Sequence, residues 1–206
     1  MGNGNKAEML IAVCAVVTSA IAVFIAWDQG RVMRAQQHGA VYPVVQIEGF
    51  VSATPETSAM GIRLSNSGVG PALIERVDVL KDGDPVGDLA PYAAAFPPGY
   101  QQSWSSLIGR AVAPGDTITP LRVDWPRGEV TLEQRNAAAA AWSELDVEIC
   151  YCSVFDRCWT ARGLGMGVSM TRAEPVKRCE RSEKDIFEDL ADDVRAPQTE
   201  PIPEVE

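Results

Sequence analysis

Histidine is nearly absent from this chain of 206 residues, which contains only His38. A Ser-His-Asp or Cys-His hydrolytic centre needs a histidine base in the folded body, and His38 lies just after a long apolar segment near the N-terminus. The sequence also lacks a glycine-rich phosphate loop followed by lysine, a dinucleotide fingerprint and a C-x-x-C redox motif. We therefore expect neither enzymatic activity nor a cofactor.

A basic stripe is missing as well. The chain has 18 lysines and arginines against 28 aspartates and glutamates, a formal net charge of −10. Residues 180–206 hold ten of the acids and three of the bases, so most of the negative charge lies in this tail. Nucleic-acid binding requires clustered cations that neutralise phosphates. We therefore exclude nucleic acid as a partner.

Charged residues are absent from residues 9–27, which read MLIAVCAVVTSAIAVFIAW. A helix of this length extends about 28 Å, close to the hydrocarbon thickness of a bilayer, and a buried core helix is rarely so long and so apolar. Cleavage as a signal peptide is the stronger alternative, because Ala20-Ile21-Ala22 has the form of a cleavage site. The apolar run continues to Trp27, however, which favours an uncleaved transmembrane helix in contact with the lipid bilayer. Residues 1–8 and 28–41 then form a short flank and a juxtamembrane stalk.

Small residues recur at spacings of three and four along this segment. Such a seam allows two helices to approach closely, so it predicts self-association or a partner helix. Its members are Ala12, Ala15, Ser19, Ala22 and Ala26.

Four of the five cysteines lie between residues 150 and 179. The segment EICYCSVFDRCWTAR predicts a β-hairpin with its turn near residues 155–156. In that hairpin Cys152 lies opposite Cys158, about 4.5–5.5 Å away and within disulfide range. Cys150 projects from the same face as Cys152 and is left to pair with Cys179.

A thiolate metal site is the alternative for these cysteines. Structural zinc sites usually have pairs of ligands two to four residues apart at both ends of the ligand set. The pattern here is C-x-C, a third cysteine after five residues and a lone Cys179, so disulfides are favoured and no metal is expected.

The orientation of the membrane helix is indicated by two signals that disagree. Two basic residues, Arg31 and Arg34, follow the apolar segment, and only one, Lys6, precedes it. This difference slightly favours a cytoplasmic C-terminal side. Disulfides persist in oxidising compartments, which favours the opposite side. We give the cysteines more weight and predict a single-pass protein of a bacterial inner membrane with its C-terminal domain in the periplasm. A cytoplasmic thiolate-metal domain would need the reverse topology.

Residues 42–179 show short β-type runs separated by turn signals. This density of strands predicts an antiparallel β-sandwich, with one inserted helix over the alanine-rich residues 129–145 and Trp142 as its anchor. A hairpin turn is predicted at residues 81–85. The candidate strands are residues 44–47, 60–64, 72–80, 102–107, 116–123, 146–152, 157–162 and 165–170.

Two segments carry a resemblance to a known class of domain. Residues 66–72, which read N-S-G-V-G-P-A, resemble a strand–turn–strand segment of small extracytoplasmic immunoglobulin-like domains. Residues 151–159 are similar to the penultimate hairpin of these domains. The class includes membrane-anchored bacterial proteins of unknown function, so the resemblance implies a fold and an anchor but no activity. We interpret Gly68 and Gly70 as positions that permit positive φ and Asn66 as bonding its own backbone.

The acidic tail, residues 180–206, contains one structural signal. Ile186, Phe187, Leu190 and Val194 form a narrow apolar stripe after an N-capping Ser182, which predicts a short amphipathic helix that docks on the domain or on a partner. The proline-containing residues 196–206 are expected to be disordered.

Two functions are compatible with this architecture. The first is a structural or protein-interaction component of the cell envelope, acting as an accessory to another envelope or membrane protein. The alternative is a small-ligand or metal-binding module, with a site at the end of the sandwich near Trp104, Trp125 and Trp142. A pocket lined by these rings would favour the ligand, and a bare edge or apolar seam would favour a partner.

Overall fold

A computed structural model describes residues 4–164 and 172–187 of the chain. The chain divides into two compact units, residues 1–40 and 41–206. In chain order the elements are α1 (Gly4–Ala40), β1 (Val45–Ala53), β2 (Thr57–Asn66), β3 (Ala72–Lys81), β4 (Asp84–Pro85), α2 (Ala90–Ala93), β5 (Gln101–Trp104), β6 (Ala111–Val112), β7 (Thr117–Pro126), α3 (Leu132–Trp142), β8 (Leu145–Cys152), β9 (Cys158–Leu164) and β10 (Arg172–Val176). The predicted mainly β fold behind a long N-terminal helix is therefore confirmed.

The N-terminal unit is one continuous helix, α1, of 37 residues. It is long and apolar enough to cross a membrane, and the side chains of residues 9–27 are exposed. The hydroxyls of Thr18 and Ser19 donate to the carbonyls of Cys14 and Ala15, at 2.9 and 2.7 Å. Both hydroxyls are thus satisfied within the helix, as a lipid environment would require.

The same helix continues through the predicted stalk as far as Ala40. The small residues of the predicted seam lie on one face of α1, within an arc of about 80° at 100° per residue. Contact between this seam and a second helix stays a prediction. The residues on this face are Ala12, Ala15, Ser19, Ala22 and Ala26.

Two antiparallel sheets make up the second unit. One has the strand order β1-β2-β7-β5, and the other has the order β10-β9-β8-β3-β4, with β6 paired to β3. Their buried apolar side chains form one core, to which Ile62 and Leu121 contribute from the first sheet and Val77 and Ile149 from the second. Full burial of each such side chain contributes about 1.5–3 kcal/mol, so alternating burial along most of β3 and the first half of β8 fixes which face of the sheet is inside.

The predicted turn after β3 is a two-residue hairpin. Lys81 pairs with Asp84, and the two residues between them, Asp82 and Gly83, have φ values of 53° and 93°. Positive φ at both central positions defines the tight turn whose twist matches the flanking strands. Asp-Gly is a preferred sequence for that turn, which is why the turn could be predicted from the sequence.

The inserted helix is shorter than the predicted residues 129–145. α3 begins after Thr131, whose hydroxyl accepts from the Gln134 backbone N–H at 3.2 Å, while the Gln134 side chain accepts from the Thr131 N–H at 2.9 Å. This capping box satisfies backbone donors that a helix start leaves unpaired. The alanines carry no start or stop signal, so the predicted ends were too generous at both termini. Trp142, as predicted, is buried.

Trp125 and Trp142 belong to an aromatic cluster inside the core. Phe96 stacks on Trp142 at 5.1 Å between ring centroids and meets Trp125 edge-on at 6.2 Å. The indole N–H groups of Trp125 and Trp142 donate to backbone carbonyls of Pro97 and Tyr92, each at 2.9 Å. Trp125 and Trp142 are thus core residues whose indole N–H groups are already bonded; a ligand site near Trp104, Trp125 and Trp142 stays a prediction.

The loop after β2 corrects another interpretation. Neither Gly68 nor Gly70 has a positive φ. A Cβ at Gly68 would instead collide with the backbone of Tyr42 and Val44, and one at Gly70 with the backbone of Val41. These glycines therefore allow two backbone segments to touch, which is a second reason for glycine in a loop.

The predicted strand at residues 165–170 lies outside the described residues. β10 was not predicted, because Arg172–Val176 (RAEPV) carries charges and a proline. Proline is tolerated at the edge of a sheet, and β10 pairs along the described chain only with β9. The core also extends beyond the predicted boundary at residue 179, since Phe187 is fully buried.

Candidate functional site

The β8–β9 hairpin brings the cysteines together. Cys152 pairs with Cys158 across the two strands, as the predicted turn requires, and Cys150 pairs with Thr160. The turn closes because the Ser153 N–H donates to the Arg157 carbonyl at 2.8 Å. Cys150 and Cys152, two residues apart on one strand, project from the same face.

Two disulfides join the four cysteines, one in the pair that the hairpin register predicts and the other in the pair that then remains. Cys152 is bonded to Cys158, with 4.0 Å between their Cα atoms, and Cys150 to Cys179, with 5.7 Å. All four are buried and form a cluster of their own beside Val176. The second bond attaches the chain after β10 to the centre of the sheet.

The two disulfides are in close proximity. The sulfur atoms of Cys152, Cys158 and Cys179 all lie within 4.8 Å of one another. A metal ion binds the thiolate form of cysteine, and each of these sulfurs is held in a disulfide. In the oxidised protein the cluster therefore consists of two structural disulfides. The distances between its sulfur atoms suit a metal site only after these disulfides are reduced.

A groove of about 610 Å³ opens beside these sulfurs, and we call it the cysteine groove. Three cations and two carboxylates lie on its walls. Its lining residues are Leu73, Glu75, Cys152, Asp156, Cys158, Lys177, Arg178, Cys179 and Arg181.

The charges of the cysteine groove are only partly neutralised. Arg181 donates from Nε to Glu75 Oε2 at 2.8 Å. Lys177 and Arg178 are exposed and form no ion pair within the part of the chain that the structure describes. The groove thus presents two cations to solvent, although the chain as a whole is acidic.

The hairpin tip forms an apolar rim beside the groove. Val154 and Phe155 expose 49% and 46% of their surface, and they lie between Cys152 and Cys158, both of which line the groove. A single exposed apolar side chain needs no explanation, but these two adjacent ones lie on a turn whose flanking residues line the groove, and the groove also carries the exposed cations. Together they form a mixed apolar and basic surface.

The C-terminal wall of the groove is fixed to the domain. Asp185 is buried; its carboxylate accepts from the Leu107 backbone N–H at 2.7 Å and from the Phe187 N–H at 3.0 Å. The Ser182 N–H donates to the Glu75 carbonyl at 3.1 Å. Disulfide, carboxylate and buried Phe187 therefore hold residues 179–187 in place. Most of the predicted amphipathic helix lies beyond this point, outside the described residues.

Lys177, Arg178 and Arg181 were not singled out in the sequence. They flank Cys179 in the run V-K-R-C-E-R, and a basic run around a disulfide cysteine was the available signal. The prevailing acidity of residues 180–206 concealed it. Pairing through Cys179 is what brings these cations to the hairpin.

Tyr151 belongs to β8, one strand of the hairpin, and supplies a test of how this strand packs. Its ring is fully buried and stacks on Trp159 at 5.9 Å, and burial raises the pKa of its phenol to about 12. An unfolded tyrosine ionises near pH 10. Because the unfolded chain loses its proton first, the stabilisation is complete below pH 10 and is lost as the pH rises towards 12.

Between about pH 9 and pH 12 the native protein should lose stability as this phenol ionises in the unfolded chain. Tyr151→Phe has no such phenol, so we expect its free energy of unfolding to fall by roughly 2–3 kcal/mol less over the same range. Urea unfolding at both pH values measures this difference. Parallel pH profiles of the two proteins would contradict a buried, protonated phenol at this position.

A comparison of the chain with protein-family models gives no match, and a comparison with curated proteins gives none either.

Proposed function

We propose that this chain is a single-pass protein of a bacterial inner membrane whose immunoglobulin-like β-sandwich lies in the periplasm and binds another envelope protein. The cysteine groove and its rim carry the proposal. They combine exposed cations with exposed apolar side chains on a backbone that two disulfides and Asp185 hold rigid. A pre-organised surface loses little entropy on binding.

The composition of this surface indicates the kind of partner. Lys177 and Arg178 favour a partner with carboxylates, because complementary charge guides and orients association. Val154 and Phe155 favour an apolar residue at the centre of the contact, where buried aromatic side chains contribute most of the affinity. The partner surface is therefore an acidic one around an apolar anchor.

The location is supported by the anchor and the disulfides together. α1 is long and apolar enough for one crossing, and paired disulfides persist on the oxidising side of a membrane. With Cys14 replaced by serine, we expect a membrane-impermeant maleimide to label all four remaining cysteines in intact cells with a permeabilised outer membrane, and only after reduction. Labelling without reductant, seen only once the inner membrane is opened, would place the domain in the cytoplasm.

The binding surface can be tested by photo-crosslinking in the cell. We expect a photo-reactive residue at Phe155 to give a discrete crosslinked product, which the additional change Arg178→Glu reduces by roughly tenfold, the effect of about 1.4 kcal/mol. The same probe at Leu132, 62% exposed at the start of α3, should give no such product.

Arg127→Glu is the matched charge control. Arg127 is exposed and follows β7, and its backbone N–H donates to the carbonyl of Glu56, just before β2. The hairpin lies near the other end of β2, which ends at Asn66. We expect it to leave the Phe155 crosslink unchanged. Equal reduction by Arg127→Glu and Arg178→Glu would show that overall charge, and not the groove, governs the contact.

A further inference from the structure

We infer that the four cysteines form a thiol–disulfide exchange site, at which a dithiol reduces Cys152–Cys158 and one freed thiolate then exchanges with Cys150–Cys179, which releases Cys150 as a thiolate. The inference goes beyond the proposed function, since it requires neither a membrane orientation nor a protein partner. The observation behind it is the position of three sulfurs from two different disulfides, all within 4.8 Å of one another at the wall of an open groove.

The groove determines where the reaction begins. Cys152 and Cys158 both line it, whereas the other bond contributes Cys179 alone. A thiolate from an incoming dithiol would attack the sulfur of Cys158 or Cys152, the bond between them would break, and the other sulfur would leave as a thiolate. The second thiol of the reductant then attacks the mixed disulfide. The dithiol leaves oxidised, and both cysteines are reduced, a transfer of two electrons.

The second step is intramolecular. A thiolate at Cys152 or Cys158 is within 4.8 Å of the Cys179 sulfur, so a small side-chain movement brings it into contact. Its attack forms a crossed disulfide with Cys179 and breaks the Cys150–Cys179 bond. Cys150 then leaves as a thiolate, and the number of disulfides and thiols in the protein is unchanged by this step.

The surroundings favour the attacking thiolate at Cys152 or Cys158 and the leaving thiolate at Cys150. Lys177, Arg178 and Arg181 line the same groove, and positive charge beside a cysteine favours its thiolate form. The Thr160 hydroxyl donates to the Cys150 sulfur at 3.8 Å, which places a hydrogen bond on the leaving atom. Thr160 acts here as a positioning residue for the departing sulfur.

The test uses the full chain in detergent, with Cys14 replaced by serine and no denaturant. One equivalent of dithiothreitol is added, free thiols are trapped by alkylation, and disulfide peptides are mapped by mass spectrometry. We expect peptides that join Cys179 to Cys152 or to Cys158, with Cys150 alkylated. Singly reduced protein whose one remaining disulfide is always a native one, Cys150–Cys179 or Cys152–Cys158, would overturn the inference and leave two independent disulfides.

A rate measurement distinguishes a relay from direct reduction. In Cys152→Ser/Cys158→Ser we expect alkylation of Cys150 to be at least roughly tenfold slower, because the intramolecular thiolate is present at a high effective concentration. Thr160→Val should slow Cys150 release by about threefold, and Thr160→Ser should restore it. An unchanged rate of Cys150 release in Cys152→Ser/Cys158→Ser would overturn the relay even if that variant were less stable.

Discussion

Replacing Asn66 with alanine should lower the free energy of unfolding of the β domain by roughly 3–5 kcal/mol. Asn66 is fully buried at the end of β2. Its Oδ1 accepts from the Val44 and Gly68 backbone N–H groups at 3.1 and 3.0 Å. Its Nδ2 donates to the carbonyls of Gly70 and Val112 at 2.8 and 2.9 Å. All four hydrogen-bonding positions of the amide are thus occupied.

The size of the effect follows from what alanine leaves behind. Four backbone groups would lose their partner together, and each buried polar group without a partner costs about 1–3 kcal/mol unless water reaches it. The amide also joins three separate segments: the chain before β1, the loop after β2, and β6. Its loss therefore loosens the entry of the chain into the domain as well as the loop itself.

Urea unfolding of Asn66→Ala and Ser67→Ala checks this prediction. Ser67 is the next residue and is exposed, and its hydroxyl donates to the Val44 carbonyl at 3.4 Å. Alanine keeps the backbone bond to the same carbonyl, so the replacement should change the free energy of unfolding by less than about 0.5 kcal/mol. A loss below about 1 kcal/mol in Asn66→Ala would show that the glycine–backbone contacts alone hold the loop.

The same loop shows how far sequence reasoning reached. N-S-G-V-G-P-A was recognisable as a turn between strands, and the bond from the Gly68 N–H to Asn66 is the local bond expected there. The contact of Gly70 with the Val41 backbone depends on a segment 29 positions earlier. No local pattern contains that information, so the glycines were assigned a dihedral role instead of a steric one.

The candidate site divides along the same line. A hairpin is a local structure, so its turn and the apposition of Cys152 and Cys158 could be predicted. The pairing of Cys150 with Cys179 followed by elimination. The cysteine groove could not be predicted, because it exists only where β3, the hairpin and the segment after β10 meet. Leu73 of β3 pairs with Cys152 of the hairpin although more than 70 residues separate the two in sequence.

The two disulfides should differ in what their removal costs. In the chain-entropy description, stabilisation increases with the length of the closed loop. Cys150 and Cys179 are separated by 29 positions in sequence, and Cys152 and Cys158 by six. We therefore expect Cys150→Ser/Cys179→Ser to lose about 3.6 kcal/mol of stability and Cys152→Ser/Cys158→Ser to lose about 2.4 kcal/mol.

Native packing increases this difference, because the larger loop ends in a segment that carries core contacts. Cys179 holds the chain that leads to buried Asp185 and Phe187, whereas the shorter loop contains only a hairpin turn. Urea unfolding of both double variants, each with Cys14→Ser and compared with Cys14→Ser alone, measures the two losses. Equal losses, or a larger one for Cys152→Ser/Cys158→Ser, would mean that residues 179–187 are held mainly by the Asp185 and Phe187 contacts, and that the long-range disulfide adds little to them.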